Sequence, residues 1–254
     1  MQEIDFTYFV FVIPAIILFG IAKGAAIGSL ALIAIPLMLM VMPLTTALAV
    51  LLPILMIMDI IAVIKYRKNF DLDNLKIMIP AGLAGTIIAY FSFSYFTEDL
   101  LKFLIGVIGT GFTLNYFIKF NQEIIKKQTS KLKGSFWGIL SGFAGFCAHS
   151  GGTPISVYLV PLRLEKTKYI GTRIIYFFAL NIFKLTFYIP LKMINLENLK
   201  YTLILIPWIP VGIYIGIWLQ EKCSERLFYN VIYTLIFVSS VNLLLNNYQS
   251  INFF

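Results

Sequence analysis

Apolar residues fall along this chain in long blocks broken by glycine, proline and charge. Ten can be delimited, at 6–22, 28–42, 44–64, 77–96, 100–118, 136–148, 153–162, 169–190, 202–219 and 227–246. A helix needs about 20 apolar residues to cross a bilayer, and most blocks approach that length. Blocks 28–42, 136–148 and 153–162 are shorter. The first two segments of each half could therefore form a re-entrant hairpin, which sets the number of full crossings at roughly six to ten. The stretch 119–133, KFNQEIIKKQTSKLK, is the longest polar interruption and holds five lysines. It separates a first membrane repeat, 1–118, from a second, 134–254, with five blocks in each.

Composition excludes a soluble globule. Of 254 residues, 59% are hydrophobic and 13% charged, and the mean hydropathy is +0.88. Soluble domains run at roughly 45–50% apolar and about 25% charged. Two cysteines, Cys147 and Cys223, and one histidine are too few for a disulfide framework or a histidine-rich metal site. Both cysteines read as free thiols, and neither a metal nor a cofactor is expected. The first ten residues carry Glu3 and Asp5 but no basic residue, so they read as the start of a membrane segment and not as a secretory signal.

The net charge of +8 would suggest nucleic acid in a soluble protein. Here it reports orientation, because Lys and Arg mark cytoplasmic loops. With the 119–133 linker inside and one crossing per block, sixteen of the twenty basic residues fall inside and three outside, the latter being Lys102, Lys192 and Lys200. Lys184 is left within an apolar block. The expected partner is a lipid bilayer, with both termini outside and no nucleic acid.

The halves resemble each other. Phe70–Lys76 (FDLDNLK) matches Ile194–Lys200 (INLENLK) at an offset of 124, and Ile79-Pro80 with Gly85 matches Ile206-Pro207 with Gly212 at 127. Five segments per repeat is an odd number, so the second copy must be inverted. The expected fold is an all-α polytopic bundle of two inverted repeats with broken or re-entrant short helices near the site. Such repeats are the architecture of many secondary transporters.

The second half contains Gly142–Pro154, GFAGFCAHSGGTP. Two adjacent glycines and a proline break a helix there, and the freed backbone must face protein or a water-filled cavity. Thr153-Pro154 suits a helix N-terminus, with Thr153 as cap, an end that can receive an anion. The matching stretch in the first half, Gly20–Ser29, is also glycine-interrupted and adds Lys23. Either stretch could instead be a tight turn between packed helices.

Lysine at the bilayer centre costs at least about 2.5–3.5 kcal/mol. Lys184, with Asn181 one helical turn earlier, is therefore a candidate for holding an anion, although it also lies near enough to the segment end to snorkel. Asp59 occupies the equivalent position of the first repeat. Inversion places the two on the order of 12 Å apart along the normal in a core of roughly 30 Å, which argues for opposite gates or separate partners. Asp59 reads as a proton-coupling carboxylate or as a counter-ion for Lys65 or Arg67. His149 titrates near neutral pH and reads as a second coupling candidate or as a hydrogen-bonded turn residue.

The run Ala148–Leu199, with the glycine-rich opening of each half, resembles the sulfite exporter TauE/SafE family of membrane transporters. The resemblance spans the chain and is specific from Gly142 to Leu199. It implies an inner-membrane permease whose members are linked to export of sulfite, sulfoacetate and related sulfur anions. A His-x-Gly-Gly-x-Pro element falls on His149, Gly151, Gly152 and Pro154, and an Asn-x-x-Lys element on Asn181 and Lys184. The chain departs from the pattern at Lys23–Gly28, where a glycine cluster is usual, and at Arg173, where a small residue is usual.

An enzyme is not expected: Ser150 and His149 are neighbours, not a converging pair, and no second histidine is present. The expected function is export of a small anion, sulfite or an organosulfonate, by alternating access, with no catalytic residues and a proton as candidate coupling ion. The alternative is an anion channel, or a permease for a non-sulfur anion such as a carboxylate. The expected substrate site comprises Lys23, Ser29, His149, Ser150, Gly151, Gly152, Thr153, Asn181 and Lys184. A reporter fused to the C-terminus is expected to be active only outside the cytoplasm; activity only inside would overturn the orientation.

Overall fold

The computed structural model describes residues 6–26, 31–92, 103, 106–107, 110–111, 113–114 and 128–247, and among these it is helical with no strand. The first half supplies α1 (Phe6–Gly24), α2 (Ala31–Leu39), α3 (Leu44–Tyr66) and α4 (Leu72–Ser92). The second supplies α5 (Lys131–Ala148), α6 (Gly152–Leu159, extended by a 3-10 turn at Val160–Leu162), α7 (Lys166–Tyr188), α8 (Leu196–Leu205), α9 (Trp208–Lys222) and α10 (Glu225–Asn247).

Helices α1, α3, α4 and α7 are long and apolar enough to cross a bilayer, and α8 with α9 forms a fifth, bent span with an angle of 52°. The chain is thus a multi-pass membrane protein, with four or five spans among the described residues. That is fewer than the six to ten read from the blocks, and most of block 100–118 lies outside the described residues. Two of the short blocks are short helices, nine residues in α2 and eight in α6.

Helices α4 and α5 both begin about a turn before their apolar blocks, because capped polar residues lead them in. Asp71 Oδ1 accepts the Asn74 N–H at 3.0 Å, and Ser130 Oγ accepts the Lys133 N–H at 3.4 Å. Asn195 caps α8 in the same way, accepting the Asn198 N–H at 2.8 Å. The sequence motif shared by the halves is thus a pair of helix N-caps, each satisfying a backbone donor that has no partner within its helix. The α3–α4 turn is also tied to α7: Asp71 pairs with Lys168 at 3.2 Å and donates its N–H to Thr172 Oγ1 at 2.8 Å. Burial alone would raise the Asp71 carboxyl, but the Asn74 backbone bond and Lys168 outweigh it and hold the group below its ordinary value.

Helix α3 is the most enclosed of the spans and packs on α1, α2, α7, α8 and α9. Two tight helix pairs flank it. Gly20 and Gly24 of α1 meet Gly212 and Gly216 of α9, where a Cβ on Gly20 would stand 2.7 Å from the Gly212 backbone and one on Gly216 2.7 Å from the Ile21 carbonyl oxygen. In the second pair a Cβ on Gly138 of α5 would reach 2.8 Å from Ala81 Cβ of α4, and one on Gly142 would overlap the Gly82 carbonyl. Small residues let helix backbones close in this way where lipid supplies no hydrophobic drive between helices. The first helix of each half therefore packs on the helix of the fourth block in the other half.

Backbone atoms oppose Gly20 and Gly142, so a methyl there cannot be accommodated by a side-chain rotation. Gly20→Ala and Gly142→Ala are each expected to cost about 1–3 kcal/mol. Thermal aggregation of the detergent-purified protein would register this as a lowered midpoint. Gly111→Ala, where a Cβ meets nothing within 4 Å, is the control. Midpoints equal to wild type in all three variants would show that the glycine contacts do not set the helix spacing.

Candidate functional site

Each half breaks its first helix at a left-handed residue that is not glycine, Ala26 with φ 54° and His149 with φ 46°, a conformation uncommon for side-chain-bearing residues. Carbonyls freed at the second break are taken up by side chains. Ser141 Oγ donates to Gly151 O at 2.7 Å, Ser150 Oγ to Ala144 O at 3.1 Å and Tyr188 Oη to Phe146 O at 2.9 Å. Both left-handed residues line one cavity of about 60 Å³. By the about 10–15 Å³ needed per water, that volume holds on the order of five water-sized groups, enough for a small oxyanion.

One face of α7 forms the long wall of the cavity through Arg173, Ile174, Phe177, Asn181 and Lys184. Eleven residues separate its two cations, about 16 Å at 1.5 Å per residue. Phe19, Ala22 and Lys23 of α1, Leu55 of α3, and Gly145, His149 and Gly152 at the second break complete the lining.

Polar atoms here form two connected groups. In the first, buried Asp59 accepts Lys23 Nζ on Oδ1 at 2.5 Å and Asn181 Nδ2 on Oδ2 at 2.7 Å, so both carboxylate oxygens are engaged. In the second, Lys184 Nζ donates to Gly145 O at 2.6 Å and lies 3.2 Å from His149 Nδ1. His149 Nε2 lies 3.2 Å from Leu48 O. A carbonyl can only accept, so Nε2 carries the proton and Nδ1 is the acceptor for Lys184. Lys184 thus meets the carbonyl end of α5, where a helix dipole favours a cation.

Arg173 is buried. It donates Nη1 to Ser156 Oγ at 2.8 Å and Tyr169 Oη at 2.9 Å. Phe177 lies between two cations, with Lys23 Nζ 5.2 Å and Arg173 Cζ 5.7 Å from its ring centroid. Among the described residues no carboxylate lies within 4.0 Å of Arg173 or Lys184. A guanidinium stays protonated in any such setting, so the cavity holds positive charge that no described carboxylate pairs with.

Several of the expected site residues converge there: Lys23, His149, Gly152, Asn181 and Lys184 all line the cavity. Ser150, Gly151 and Thr153 do not. The Ser150 hydroxyl is turned to Ala144 O, and Gly151 packs so closely on Ser141 that a Cβ would overlap its carbonyl. Thr153 is not the helix cap; α6 starts one residue earlier with Gly151 as its N-cap, and Thr153 Oγ1 finds no hydrogen-bond partner among the described residues. Ser29 lies outside the described residues.

Lys184 does not snorkel, being 2% exposed. Asp59 is not the counter-ion of Lys65, which pairs with Glu221 at 2.8 Å. Asp59 and Lys184 have separate hydrogen-bond partners, Lys23 and Asn181 for the first and Gly145 and His149 for the second. Arg173, counted among cytoplasmic residues by sequence, is a buried cavity residue seven positions into α7. The signal that could have found it is its spacing: Arg173, Phe177, Asn181 and Lys184 recur at intervals of four, four and three on one helical face.

An all-helical, multi-pass protein that encloses a cationic cavity between two broken helices has the form of a membrane anion transporter. The sulfite exporter TauE/SafE family model matches residues 12–243, and the chain belongs to that family. No curated protein and no solved structure matches it significantly.

Thr153 offers a direct check of the cavity boundary. Thr153→Val keeps the side-chain shape and removes a buried hydroxyl with no partner, so stability should be unchanged or raised by about 1 kcal/mol and transport unaffected. Normal stability with lost transport would instead place this hydroxyl on the substrate path.

Proposed function

We propose that the protein exports a small sulfur anion, sulfite or an organosulfonate, across the inner membrane by alternating access. The observation that carries this reading is a cavity wall on one face of α7 that presents both Arg173, a buried guanidinium with no carboxylate within 4.0 Å among the described residues, and Lys184. Burying an unpaired cation costs several kcal/mol, and an entering anion offsets that cost without new folding. Lys23 and Gly152 also border the cavity. Gly152 is the first residue of α6, an end whose dipole favours negative charge.

The length of the charged wall supports passage. Arg173 and Lys184 stem from positions about 16 Å apart along the helix, which suits them to act as successive contacts for an oxyanion. The family supports sulfur anions as cargo. The matched helix caps and the two glycine-packed helix pairs, each joining one half to the other, support paired repeats that exchange roles. The basic loops favour an inverted arrangement with the linker in the cytoplasm.

Proteoliposomes loaded with sulfite, methanesulfonate or succinate provide the test. Arg173→Ala and Lys184→Ala should each lower efflux at least tenfold, about 1.4 kcal/mol, with normal insertion. Sulfite or methanesulfonate should leave faster than succinate. Undiminished efflux in both variants would remove the site assignment, and equal flux of succinate would remove the sulfur preference.

A further inference from the structure

This inference rests on the anion-transport reading above and concerns what travels with the anion. Lys23 lines the cavity, whereas Asp59 does not. The ammonium therefore stands between the cavity and the carboxylate it pairs with. Asp59 sits on α3, the most enclosed span, with no exposed surface. Lys23 is more accessible, at 14% exposure, on the last turn of α1 three residues before the left-handed Ala26.

An anion that enters meets Lys23 from the cavity side, opposite Asp59. The Lys23 ammonium is then shared between the anion and the buried Asp59 carboxylate. A fully buried carboxylate that shares its ion pair with a second anion is favoured to bind a proton. A sulfonate remains an anion because its acid is strong. Asp59 is the group left to bind the proton, and Asn181 still holds its second oxygen.

Two further basic side chains line the same cavity, and each has partners of its own: Arg173 the hydroxyls of Ser156 and Tyr169, Lys184 the carbonyl of Gly145 and the imidazole of His149. Facing Asp59 are Lys23 from α1 and Lys184 from α7, and Lys184 is engaged with Gly145 and His149. Helix α2 has no charged residue. Lys200 of α8, with Glu221 and Lys222 of α9, is exposed, and Glu221 pairs with Lys65. His149 faces Lys184 and the Leu48 carbonyl instead.

We infer that Asp59 is the coupling site of the transporter: an anion that engages Lys23 is bound together with one proton, which is taken from water and held on the Asp59 carboxyl. The balance is one anion and one proton in and, on release, one anion and one proton out, with the Lys23–Asp59 ion pair restored. Anion binding then tightens as pH falls, by up to about tenfold per unit where one proton is taken up.

Calorimetry on the detergent-purified full chain, in buffers of differing ionisation enthalpy, counts protons taken up on binding. The probes are methanesulfonate, sulfite and succinate, each corrected for its own protonation. Wild type should take up about one proton per methanesulfonate bound. Asp59→Asn should take up none, whatever its affinity. The double variant Lys23→Gln with Asp59→Asn keeps a neutral hydrogen-bonding pair should the single variant fold poorly, and it should also take up none. Binding to wild type without proton uptake, or uptake kept in a folded variant lacking Asp59, overturns the inference and leaves the transport reading standing. Absence of binding by all three anions removes the transport reading and this inference with it.

Discussion

Four ionisable side chains, Lys23, Asp59, Arg173 and Lys184, are enclosed among apolar helices, where each would cost several kcal/mol if left alone. Each is met differently. Lys23 and Asp59 meet each other, Lys184 meets the carbonyl end of α5, and Arg173 meets two hydroxyls and two aromatic faces. These solutions require α1, α3, α5 and α7 to converge, because the partners come from different helices. The close glycine contacts between α1 and α9, and between α4 and α5, bring in the flanking helices that enclose the cluster.

The strained breaks follow from the same requirement. A helix that ran on through His149 would carry its carbonyl end away from Lys184 and direct the imidazole elsewhere. Turning the chain at a left-handed residue places Gly145 O, His149 Nδ1 and Gly152 together on one cavity wall. The backbone cost of that conformation is of order 1–3 kcal/mol, and the hydrogen bonds of the turn oppose it. Strain at the break and charge at the site are two aspects of one arrangement.

Much of this was legible in the sequence, and what was missed has a physical reason. Apolar blocks located the helices but misplaced the starts of α4, α5 and α8, because capped first turns are polar and a hydropathy pattern passes over them. Lys184 and Asn181 stood out as polar residues in an apolar block. Arg173 did not, since it lies near the end of its block where basic residues ordinarily mark a loop, and only its helical spacing shows that it faces the cavity. The pairing of Asp59 with Lys23 was hidden because its partners lie 36 and 122 residues away in sequence, whereas Lys65 and Arg67 lie within about two helical turns of it. The Thr153 cap failed because a glycine one residue before the helix can begin it without any side-chain bond.

The two proline positions that match between the halves are not used alike. Helix α4 runs unbroken through Pro80, while the matching Ile206-Pro207 separates α8 from α9 at an angle of 52°. Two arms of one pattern thus hold different shapes at once, one straight and one bent. For halves that trade shapes, straightening one arm and bending the other would not cost equal amounts, since their flanking residues differ. Under the proposed alternating access, the two faces would then present binding sites of unequal resting occupancy. The concentration gradient would still decide which way cargo flows, but the covalent sequence would decide on which side the empty protein waits.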